Sequence, residues 1–240
     1  MMTTYYTTTQ AGVKTPIRVA VVADLHNGEY HHILHRIEAE QADLIVLPGD
    51  FLQGEDKTAR GFAFLAAAAK CCPTFCSIGN HEVRACPRDL DARVAETGAV
   101  LLDNEARFAS GLWVGGLSSG YRPGMKQGRT KPTPPPDQSF ITEFSNMTGP
   151  RLLLCHHPEY YRPYLREKNI PLIVAGHAHG GQWEMFGQAI FAPGQGLFPR
   201  YTAGFYHARM VVSRGVTNPH PLIPRLGNPT ELVMLDIWPG

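Results

Sequence analysis

The sequence predicts an α/β fold built around parallel strands. Short apolar segments alternate with segments of helical periodicity over residues 17–117, which is the order of βαβ units. Hydrophobic residues make up 43% and charged residues 18% of the 240 residues, so the chain can bury one sizeable core and is too apolar for disorder. Several apolar segments also end on a polar residue, and those ends carry the functional prediction.

Continuous apolar runs predict the strands. They cover residues 17–23, 44–47, 73–78, 100–102, 112–117, 151–155, 171–175, 208–213 and 232–237. Apolar residues at helical spacing predict helices over residues 30–42, 58–70, 89–97 and 159–168. Gly98 follows the third of these helices and stands at the C′ position, where a helix commonly ends.

The chain is predicted to form one domain over residues 16–240, preceded by a flexible, Thr-rich tail over residues 1–15. A loop rich in Gly, Pro and basic residues interrupts the domain at residues 118–139. Sixteen of the 20 prolines lie after residue 119, so the second half is expected to be the more irregular. Two interpretations of this loop stay open: a cationic lid over the active site, or a flexible loop that simply extends into solvent. The loop carries the basic residues Arg122, Lys126, Arg129 and Lys131.

Charge and local patterns exclude several classes of protein. The 22 basic and 21 acidic residues leave a net charge of +1, which provides no global field for binding nucleic acid. No apolar run approaches the roughly 18 residues of a membrane span, and the N-terminal segment lacks the pattern of a secretory signal. The five cysteines form no CxxC pair and are expected to be reduced thiols. We therefore expect a cytoplasmic protein that binds no nucleic acid.

Five predicted strands end on residue types that bind metal ions. The strand ends read Asp-Leu-His, Gly-Asp, Gly-Asn-His-Glu, His-His and Gly-His-Ala-His. Ligands of open α/β sheets bind beyond the carboxyl ends of the strands, so these ends can meet in one site. The expected metal ligands are Asp24, His26, Asp50, Asn80, His156, His177 and His179. Carboxylates, an amide and imidazoles without thiolates suit Mn²⁺, Fe²⁺ or Zn²⁺, and a carboxylate can bridge two ions.

The ordered set of these motifs over residues 24–179 resembles the calcineurin-like metallophosphoesterase superfamily. The resemblance implies a four-layered α/β/β/α sandwich, in which two packed mixed sheets are flanked by helices. It also implies two divalent cations, with manganese first and iron or zinc as alternatives. The first ion would be held by Asp24, His26 and His179, the second by Asn80, His156 and His177, and Asp50 would lie between them.

The implied reaction is hydrolysis of a phosphodiester or pyrophosphate bond by a metal-activated hydroxide. The resemblance gives His81 the role of acid for the leaving group or of hydrogen-bond donor to the transition state, and a supporting hydrogen bond beside the ligands is the plainer alternative. One position departs from the superfamily's phosphoprotein phosphatases, in which an Asp pairs with this histidine. The present chain has Gln53 at that position. A neutral Gln cannot favour imidazolium, so either His81 is less basic or Glu55 substitutes. The departure argues against a phosphoprotein phosphatase.

Later motifs narrow the resemblance to the bacterial YkuE/YaeI-like branch. Gly-Gly-Gln follows His179, and Ala-Pro-Gly, Arg-Tyr-Thr-Ala-Gly, Ser-Arg-Gly and Pro-Thr-Glu-Leu follow in that order. The branch implies a small-molecule or lipid-linked phosphoester or diphosphate substrate. Peripheral membrane contact through loops around Phe198 and Phe205 is the alternative to a soluble substrate. The candidate substrate-binding residues are Arg84, Gly180 and Gln182.

Several other side chains have a plainer interpretation. His31 and His35 have a spacing that can bind zinc, but we interpret them as part of a solvated helix face. His157 follows a ligand in an extended segment and is expected to point away from the ions. A core role is favoured over a ligand pocket for the large apolar residues near the last motif, namely Trp183, Met185, Phe186, Phe198, Phe205 and Tyr206.

Two other functions stay open beside the phosphohydrolase. A non-catalytic interaction module on the same scaffold would be expected to have lost metal ligands, whereas the set is complete in this chain. A nuclease of the same superfamily would be expected to have a basic groove with stacking aromatic residues. The net charge of +1 disfavours that groove.

Overall fold

A computed structural model describes residues 1–85, 89–125, 132–185, 187–218 and 224–240. It confirms the α/β class and the four layers: two six-stranded mixed sheets pack against each other, with helices on their outer faces. Lys126, Arg129, Lys131 and Phe186 lie outside the described residues, so the two interpretations of the basic loop stay predictions. Cys86 also lies outside them, and the four described cysteines are free thiols.

The first sheet combines strands from residues 2–102 with one strand from residues 231–239. Its strands in spatial order are β1 (Met2–Gln10), β16 (Glu231–Pro239), β2 (Ile17–Val21), β3 (Leu44–Leu47), β4 (Thr74–Ser77) and β5 (Val100–Leu102). Strands β2 to β5 are parallel to one another, and β16 is antiparallel to β2. The carboxyl ends of β2, β3 and β4 therefore meet at one edge of the sheet.

The second sheet is built from the later part of the chain. Its strands in spatial order are β14 (Gly204–Tyr206), β15 (Met210–Val212), β9 (Ile173–Ala175), β8 (Arg151–Cys155), β7 (Leu112–Leu117) and β6 (Glu105–Ala109). The four central strands are parallel and the two outer strands are antiparallel to their neighbours. Two short antiparallel pairs precede β14: β10 (Glu184–Met185) with β11 (Gln188–Ala189), and β12 (Phe191–Ala192) with β13 (Gly196–Leu197).

Helices cover both outer faces of the sheet pair. Those described are α1 (His31–Ala39), α2 (Ala59–Cys71), α3 (Asn80–Ala85), α4 (Leu90–Glu96) and α5 (Gln138–Asn146). Helix α5 begins inside the predicted loop because the Asp137 carboxylate accepts the N–H groups of Ser139 and Phe140 and caps the helix. Within the described ranges, none of the helices combines the length and apolar character needed to cross a membrane.

The prediction of an α-helix over residues 159–168 is wrong. A 3₁₀ turn (Pro158–Tyr160) and a π-helical turn (Tyr161–Leu165) occupy this segment instead. Pro163 lies inside it and has no N–H for an α-helical hydrogen bond, which explains why the α-helix does not form.

Alternating side chains explain why the middle positions of the central strands are apolar. Val19 and Val21 of β2 point into the cluster between the sheets. Ala20 points the other way, into a cluster that contains Ile33 of α1 and Phe64 of α2. A strand buried on both faces has no position left for a polar side chain, so polarity is confined to its ends.

The predicted flexible tail is instead an edge strand over Met2–Gln10. This strand pairs with the full length of β16, from Met2 opposite Glu231 to Gln10 opposite Pro239. Thr and Tyr have high strand propensity, and Tyr6 packs against the cluster between the sheets. The Gln10 side chain also bonds the backbone of Arg151, which anchors the strand to the second sheet.

The prediction of a core role is wrong for three residues near the last motif. Trp183, Met185 and Phe198 are between 44% and 68% exposed, on or beside the short pairs β10 to β13. Phe205 and Tyr206 of β14 do pack against the two core clusters of the second sheet, so the prediction holds for them.

Candidate metal centre

The structure brings the seven expected ligands together where the two sheets meet. Each follows one of five central strands: Asp24 and His26 follow β2, Asp50 follows β3, Asn80 follows β4, His156 follows β8, and His177 and His179 follow β9. All except His179 are at least 94% buried. Groups of side chains whose ligand atoms lie within 4.8 Å of one another include Asp24 with His26 and His179, and Asp24 with Asp50 and His156.

The backbone is strained at most of these positions. Five of the seven residues have φ between 47° and 65°, a region that non-glycine residues avoid: Asp24, His26, Asp50, His177 and His179. Each such conformation costs on the order of 1–3 kcal/mol and persists only where the surroundings enforce it. Strain concentrated in this way is typical of a functional site.

Asn80, His156 and His177 form what we call group two. His156 Nε2 lies 3.1 Å from Asn80 Oδ1 and 3.1 Å from His177 Nδ1. The other ring nitrogen of His156, Nδ1, lies 2.9 Å from the Pro48 carbonyl oxygen. That carbonyl accepts the Nδ1–H, which directs the Nε2 lone pair toward the centre.

Asp24, His26 and His179 form group one. His26 Nε2 lies 3.3 Å from His179 Nε2 and 3.9 Å from Asp24 Oδ1. The Asp24 carboxylate also accepts the backbone N–H of His177, at 3.0 and 3.1 Å from its two oxygens. This contact ties the end of β9 in the second sheet to the end of β2 in the first.

Asp50 lies between the two groups. Its Oδ2 is 3.2 Å from His156 Nε2 of group two and 3.9 Å from His26 Nε2 of group one. Its Oδ1 accepts the backbone N–H of His81 at 2.8 Å. One carboxylate therefore faces both groups, as a bridging ligand requires.

The spacing of the donor atoms fits bound cations. Two nitrogens each about 2.1 Å from one ion, at tetrahedral to octahedral angles, are about 3.0–3.4 Å apart. The two close imidazole pairs are 3.1 and 3.3 Å apart. The mixed set of imidazole, carboxylate and amide donors suits borderline divalent ions. The residues present thus fit a pair of such ions.

The protonation of the metal-free site agrees with this interpretation. Burial lowers the pKa of His26 and of His177 well below the ordinary value, and burial and then Arg225 lower the pKa of His179 to about 3. These three rings are neutral at pH 7, which is the form that binds metal. Burial also lowers the pKa of His156, but Asp50 outweighs it and raises the pKa to about 9. A proton on His156 thus supplies positive charge beside Asp50.

Glu82 is a structural carboxylate that the sequence analysis did not single out. It is 1% exposed and accepts the backbone N–H groups of Asp50, Leu52 and Gly79, each at 2.8 Å. Burial and then Asp50 raise the pKa of Glu82 to about 7, against the effect of these N–H groups. By bonding the ends of β3 and β4 together, Glu82 holds Asp50 and Asn80 side by side. Its place in the Gly-Asn-His-Glu motif was the available signal.

His81 lies at the edge of the centre. Its Nε2 is 3.9 Å from Asp50 Oδ2, and its side chain is 14% exposed. Its Nδ1 is 2.8 Å from the backbone carbonyl oxygen of Gln53, so the segment after Asp50 contacts His81 through its backbone, while Glu55 is exposed. Burial lowers the pKa of His81, with Arg84 adding to the effect and Asp50 opposing it.

The three candidate substrate-binding residues have different surroundings. Arg84 is exposed and close enough to His81 to affect its pKa. Gly180 packs against Asn228, because a Cβ on Gly180 would lie 2.1 Å from Asn228 Oδ1. Gln182 Nε2 lies 3.5 Å from Asn218 Oδ1. The substrate-binding role of all three stays a prediction.

Arg225 and Asn228, far along the chain, support group one and were missed by the sequence analysis. Arg225 Nη2 lies 3.2 Å from His179 Nδ1, and its guanidinium also donates to the carbonyl oxygens of Arg214 and Thr217. Asn228 donates to the carbonyl oxygen of His179 at 2.6 Å. Nothing local in the sequence marks either residue, because they reach the site only through folding of the irregular half.

Three other histidines of the described part of the chain also have defined surroundings. His157 is fully buried, its ring centroid is 4.4 Å from that of His177, and its Nε2 lies 2.7 Å from Ser119 Oγ. The expectation that it points away from the ions stays a prediction. His31 is an exposed side chain that pairs with Glu29, and His35 is exposed as well, in agreement with a solvated helix face.

Comparisons with known proteins find a matching family model and similar proteins. The family model described as calcineurin-like phosphoesterase matches residues 17–181. Phosphodiesterase YaeI of Escherichia coli is 28% identical over 252 residues, covering 92% of this chain and 82% of that protein. An uncharacterized metallophosphoesterase of Campylobacter jejuni is 24% identical, covering 94% of this chain and 60% of that protein. The chain therefore spans less than two thirds of this second relative.

A solved structure shows the same fold at lower identity. The 5'-nucleotidase precursor from Thermus thermophilus matches with a TM-score of 0.53 and 14% identity, covering 93% of this chain and 54% of that chain. At this identity the match supports the arrangement of sheets and helices alone.

Proposed function

The chain belongs to the calcineurin-like phosphoesterases, hydrolases of phosphoesters, and from that premise we propose that it cleaves a phosphodiester or pyrophosphate bond at a two-cation centre. One observation carries the proposal: the two ligand groups lie on either side of Asp50, whose Oδ2 faces a histidine of each group. Group one and Asp50 would hold the first ion, and group two and Asp50 the second. When bound, the ions supply a nucleophile at neutral pH and positive charge for the phosphoryl oxygens.

His81 is the proposed proton donor to the leaving group. The Gln53 carbonyl accepts from Nδ1 at 2.8 Å, which leaves Nε2 as the atom that carries the transferred proton. The ring reaches the rim of the centre, so a leaving oxygen can approach it from solvent. Only the imidazolium form carries hydrogen on both ring nitrogens, so His81 donates from Nε2 when the ring is protonated. The lowered pKa of His81 makes that imidazolium a stronger acid than an ordinary histidine.

Manganese is the first expectation for both ions, with iron or zinc as alternatives. The set of four imidazoles, two carboxylates and one amide contains no thiolate, which would have favoured zinc or copper(I). The described cysteines do not contribute, because Cys76 and Cys155 are buried in the core clusters. The burial of the donors also favours cations over a neutral ligand. Asp50 is shielded from solvent, and a buried carboxylate needs positive charge to compensate its own.

A lipid-linked substrate is favoured by the surface beside the centre. Five large apolar side chains between 44% and 69% exposed lie on or next to the segment that follows His179: Trp183, Met185, Leu197, Phe198 and Leu226. Backbone hydrogen bonds hold these parts of the chain together: the Glu184 N–H donates to the Leu226 carbonyl oxygen, and the Phe198 N–H donates to that of Ile190. We propose that these side chains contact an acyl chain or the surface of a membrane, with the phosphate group in the centre.

The test of the reaction is hydrolysis of bis-p-nitrophenyl phosphate by the metal-stripped chain with and without added Mn²⁺. Wild type is expected to be active only with metal, and Asp50→Asn and His81→Ala are expected to lose activity. His35→Ala serves as the control, because His35 is an exposed histidine remote from the ligands. The panel extends to nucleotide diphosphate sugars, cyclic nucleotides and a lipid-linked diphosphate. Absence of metal-dependent hydrolysis across the whole panel would contradict the proposal.

Membrane contact is tested separately by co-sedimentation with liposomes. Wild type is expected to pellet with the vesicles and Phe198→Ser is expected to stay in the supernatant. Phe108→Ser is the control, because Phe108 is 59% exposed on β6 of the second sheet, outside the segment that follows His179. Equal sedimentation of both variants would contradict the membrane proposal and leave the reaction unaffected.

A further inference from the structure

His177 has a second ring nitrogen that does not face the metal centre. Its Nδ1 lies 3.1 Å from His156 Nε2 and so faces the other ligands of group two. Its Nε2, on the far side of the ring, lies 3.8 Å from Glu159 Oε1. If Nδ1 binds a cation, Nε2 must carry the hydrogen, and that hydrogen points to a carboxylate.

Glu159 belongs to a small polar cluster, the Glu159 cluster, formed with Ser119, Thr133 and His157. The Thr133 hydroxyl donates to Glu159 Oε1, and His157 Nδ1 lies 3.3 Å from the same oxygen. The opposite nitrogen of His157, Nε2, lies 2.7 Å from Ser119 Oγ. Polar groups therefore surround the Glu159 carboxylate on the side away from the metal centre.

Three atoms at this point are buried without a hydrogen-bond partner: His177 Nε2, His157 Nδ1 and Glu159 Oε2. Such groups cost about 1–3 kcal/mol each when left unsatisfied. The two nitrogens both face Glu159 Oε1, at 3.3 and 3.8 Å, so a small shift of these side chains would give each nitrogen an acceptor. A shortening of the 3.8 Å gap by about 1 Å would convert it into an ordinary hydrogen bond.

The backbone at Gly194 packs closely against the Glu159 carboxylate. A Cβ on Gly194 would lie 2.1 Å from Glu159 Oε1, so the chain at that position leaves room for the carboxylate only as glycine. Gly194 also has φ of 71°, a conformation that glycine adopts without strain. Glu159 is thus held against His177 from the opposite side.

We propose that Glu159 is the positioning residue for His177, accepting its Nε2–H and so fixing the ring with Nδ1 toward the cation. The inference rests on the proposed two-cation centre and adds to it a carboxylate outside the ligand set. A hydrogen-bonded carboxylate both fixes the tautomer of a ligating histidine and makes it a better donor to the metal. His157 Nδ1 faces the same Glu159 oxygen at 3.3 Å and would support the carboxylate there.

The test compares Glu159→Leu, which removes the acceptor, with Glu159→Gln, which keeps an oxygen acceptor without the charge. The control pair is Glu167→Leu and Glu167→Gln, because the Glu167 side chain is 86% exposed and pairs only with Arg166 among the described contacts. Stepwise Mn²⁺ affinities of the stripped proteins are measured by calorimetric titration. We expect Glu159→Leu to weaken one of the two binding steps by about 10–100-fold. Glu159→Gln should lie between it and wild type, and the control pair should match wild type.

Thermal unfolding separates positioning from a merely structural role. A positioning role predicts that Glu159→Gln unfolds like wild type without metal and loses part of the rise in Tm that Mn²⁺ produces. An equal loss of Tm with and without metal, or two unchanged binding steps in both variants, would overturn the inference. If wild type itself binds fewer than two ions, the proposed two-cation function fails first. If Glu159→Leu does not fold, the isosteric Glu159→Gln decides.

Discussion

Group two and group one hold similar ligands in different ways. In group two, His156 and His177 are at most 2% exposed, and the Pro48 carbonyl directs the His156 ring. In group one, the His179 side chain is 13% exposed and contacts Arg225 from the irregular half. The difference teaches that group two is oriented by fully buried contacts close to the strand ends, whereas group one also depends on Arg225, which lies in the last irregular segment of the chain. We therefore expect group two to bind its ion the more rigidly.

The largest expected effect comes from Asp50, the residue that both groups share. Asp50→Asn removes the bridging charge at nearly constant volume, so both ions should bind weakly and activity should fall. Loss of Lewis-acid stabilisation worth several kcal/mol corresponds to on the order of 10³-fold or more in kcat/KM. Metal analysis and kinetics check this together. A variant that retains two ions and near-normal activity would show that the groups do not share Asp50.

A variant that removes one ligand from one group should lose only the ion of that group. His156→Ala is expected to reduce bound Mn²⁺ from two ions to one by emptying group two, and His26→Ala is expected to do the same for group one. Activity should fall in both variants because the reaction needs both ions. His35→Ala again provides the control. Loss of both ions from either single variant would contradict the description of two separable groups.

Acid should weaken group two through the proton on His156. The pKa of His156 is raised to about 9, so below that pH a cation must displace this proton. Apparent Mn²⁺ affinity should therefore rise by about tenfold per pH unit between about pH 7 and 8. Below about pH 7 acid should weaken group one as well, because burial and then Asp50 raise the pKa of its member Asp24 to about 7. Titrations at several pH values would measure the slope, and a flat profile would contradict this assignment.

The same proton has the opposite consequence for the metal-free fold. A raised histidine pKa contributes stability that is fully present below its ordinary value of 6.5 and is lost as the pH rises through about 9. Metal-free protein should thus lose stability over the range in which Mn²⁺ binding improves. Chemical unfolding with a chelator present, at the same pH values, measures this contribution directly.

The smallest expected effect comes from Asn228, which supports group one through the backbone of His179. Asn228→Ala removes the donor to the His179 carbonyl oxygen, 2.6 Å away, and leaves that acceptor unsatisfied. The expected loss of stability is about 1–3 kcal/mol. Mn²⁺ affinity should fall for one binding step only. A matched change at an exposed amide, Asn146→Ala at the end of α5, should change the free energy of unfolding by no more than a few tenths of a kcal/mol and leave both Mn²⁺ binding steps unchanged.

The sequence could predict which side chains meet at the candidate metal centre, because each signal is local. An apolar strand followed directly by Asp, Asn or His needs no knowledge of the rest of the chain, and five such ends in order also indicated the fold. Glu82 was within reach of the same logic, since it belongs to one of the motifs. Its role depends on three backbone N–H groups from the segments that follow two strands, β3 and β4, which only folding brings together.

Other features could not be found in this way. The strand Met2–Gln10 consists mostly of polar Thr, and only pairing with β16 makes it a strand. Arg225 and Asn228 reach group one from more than 40 residues beyond His179. The α-helix predicted over residues 159–168 does not form because Pro163 lies inside it. This proline was visible in the sequence, but the prediction gave more weight to the helical spacing of the apolar residues.

The central claim is that two cations share Asp50 between group one and group two. Anomalous diffraction at the manganese absorption edge, on crystals grown with Mn²⁺, tests it most directly. We predict two peaks about 3.5–4 Å apart, one contacting Asp24, His26 and His179 and the other Asn80, His156 and His177, with Asp50 touching both. A single peak, or two peaks of which only one contacts Asp50, would contradict the account.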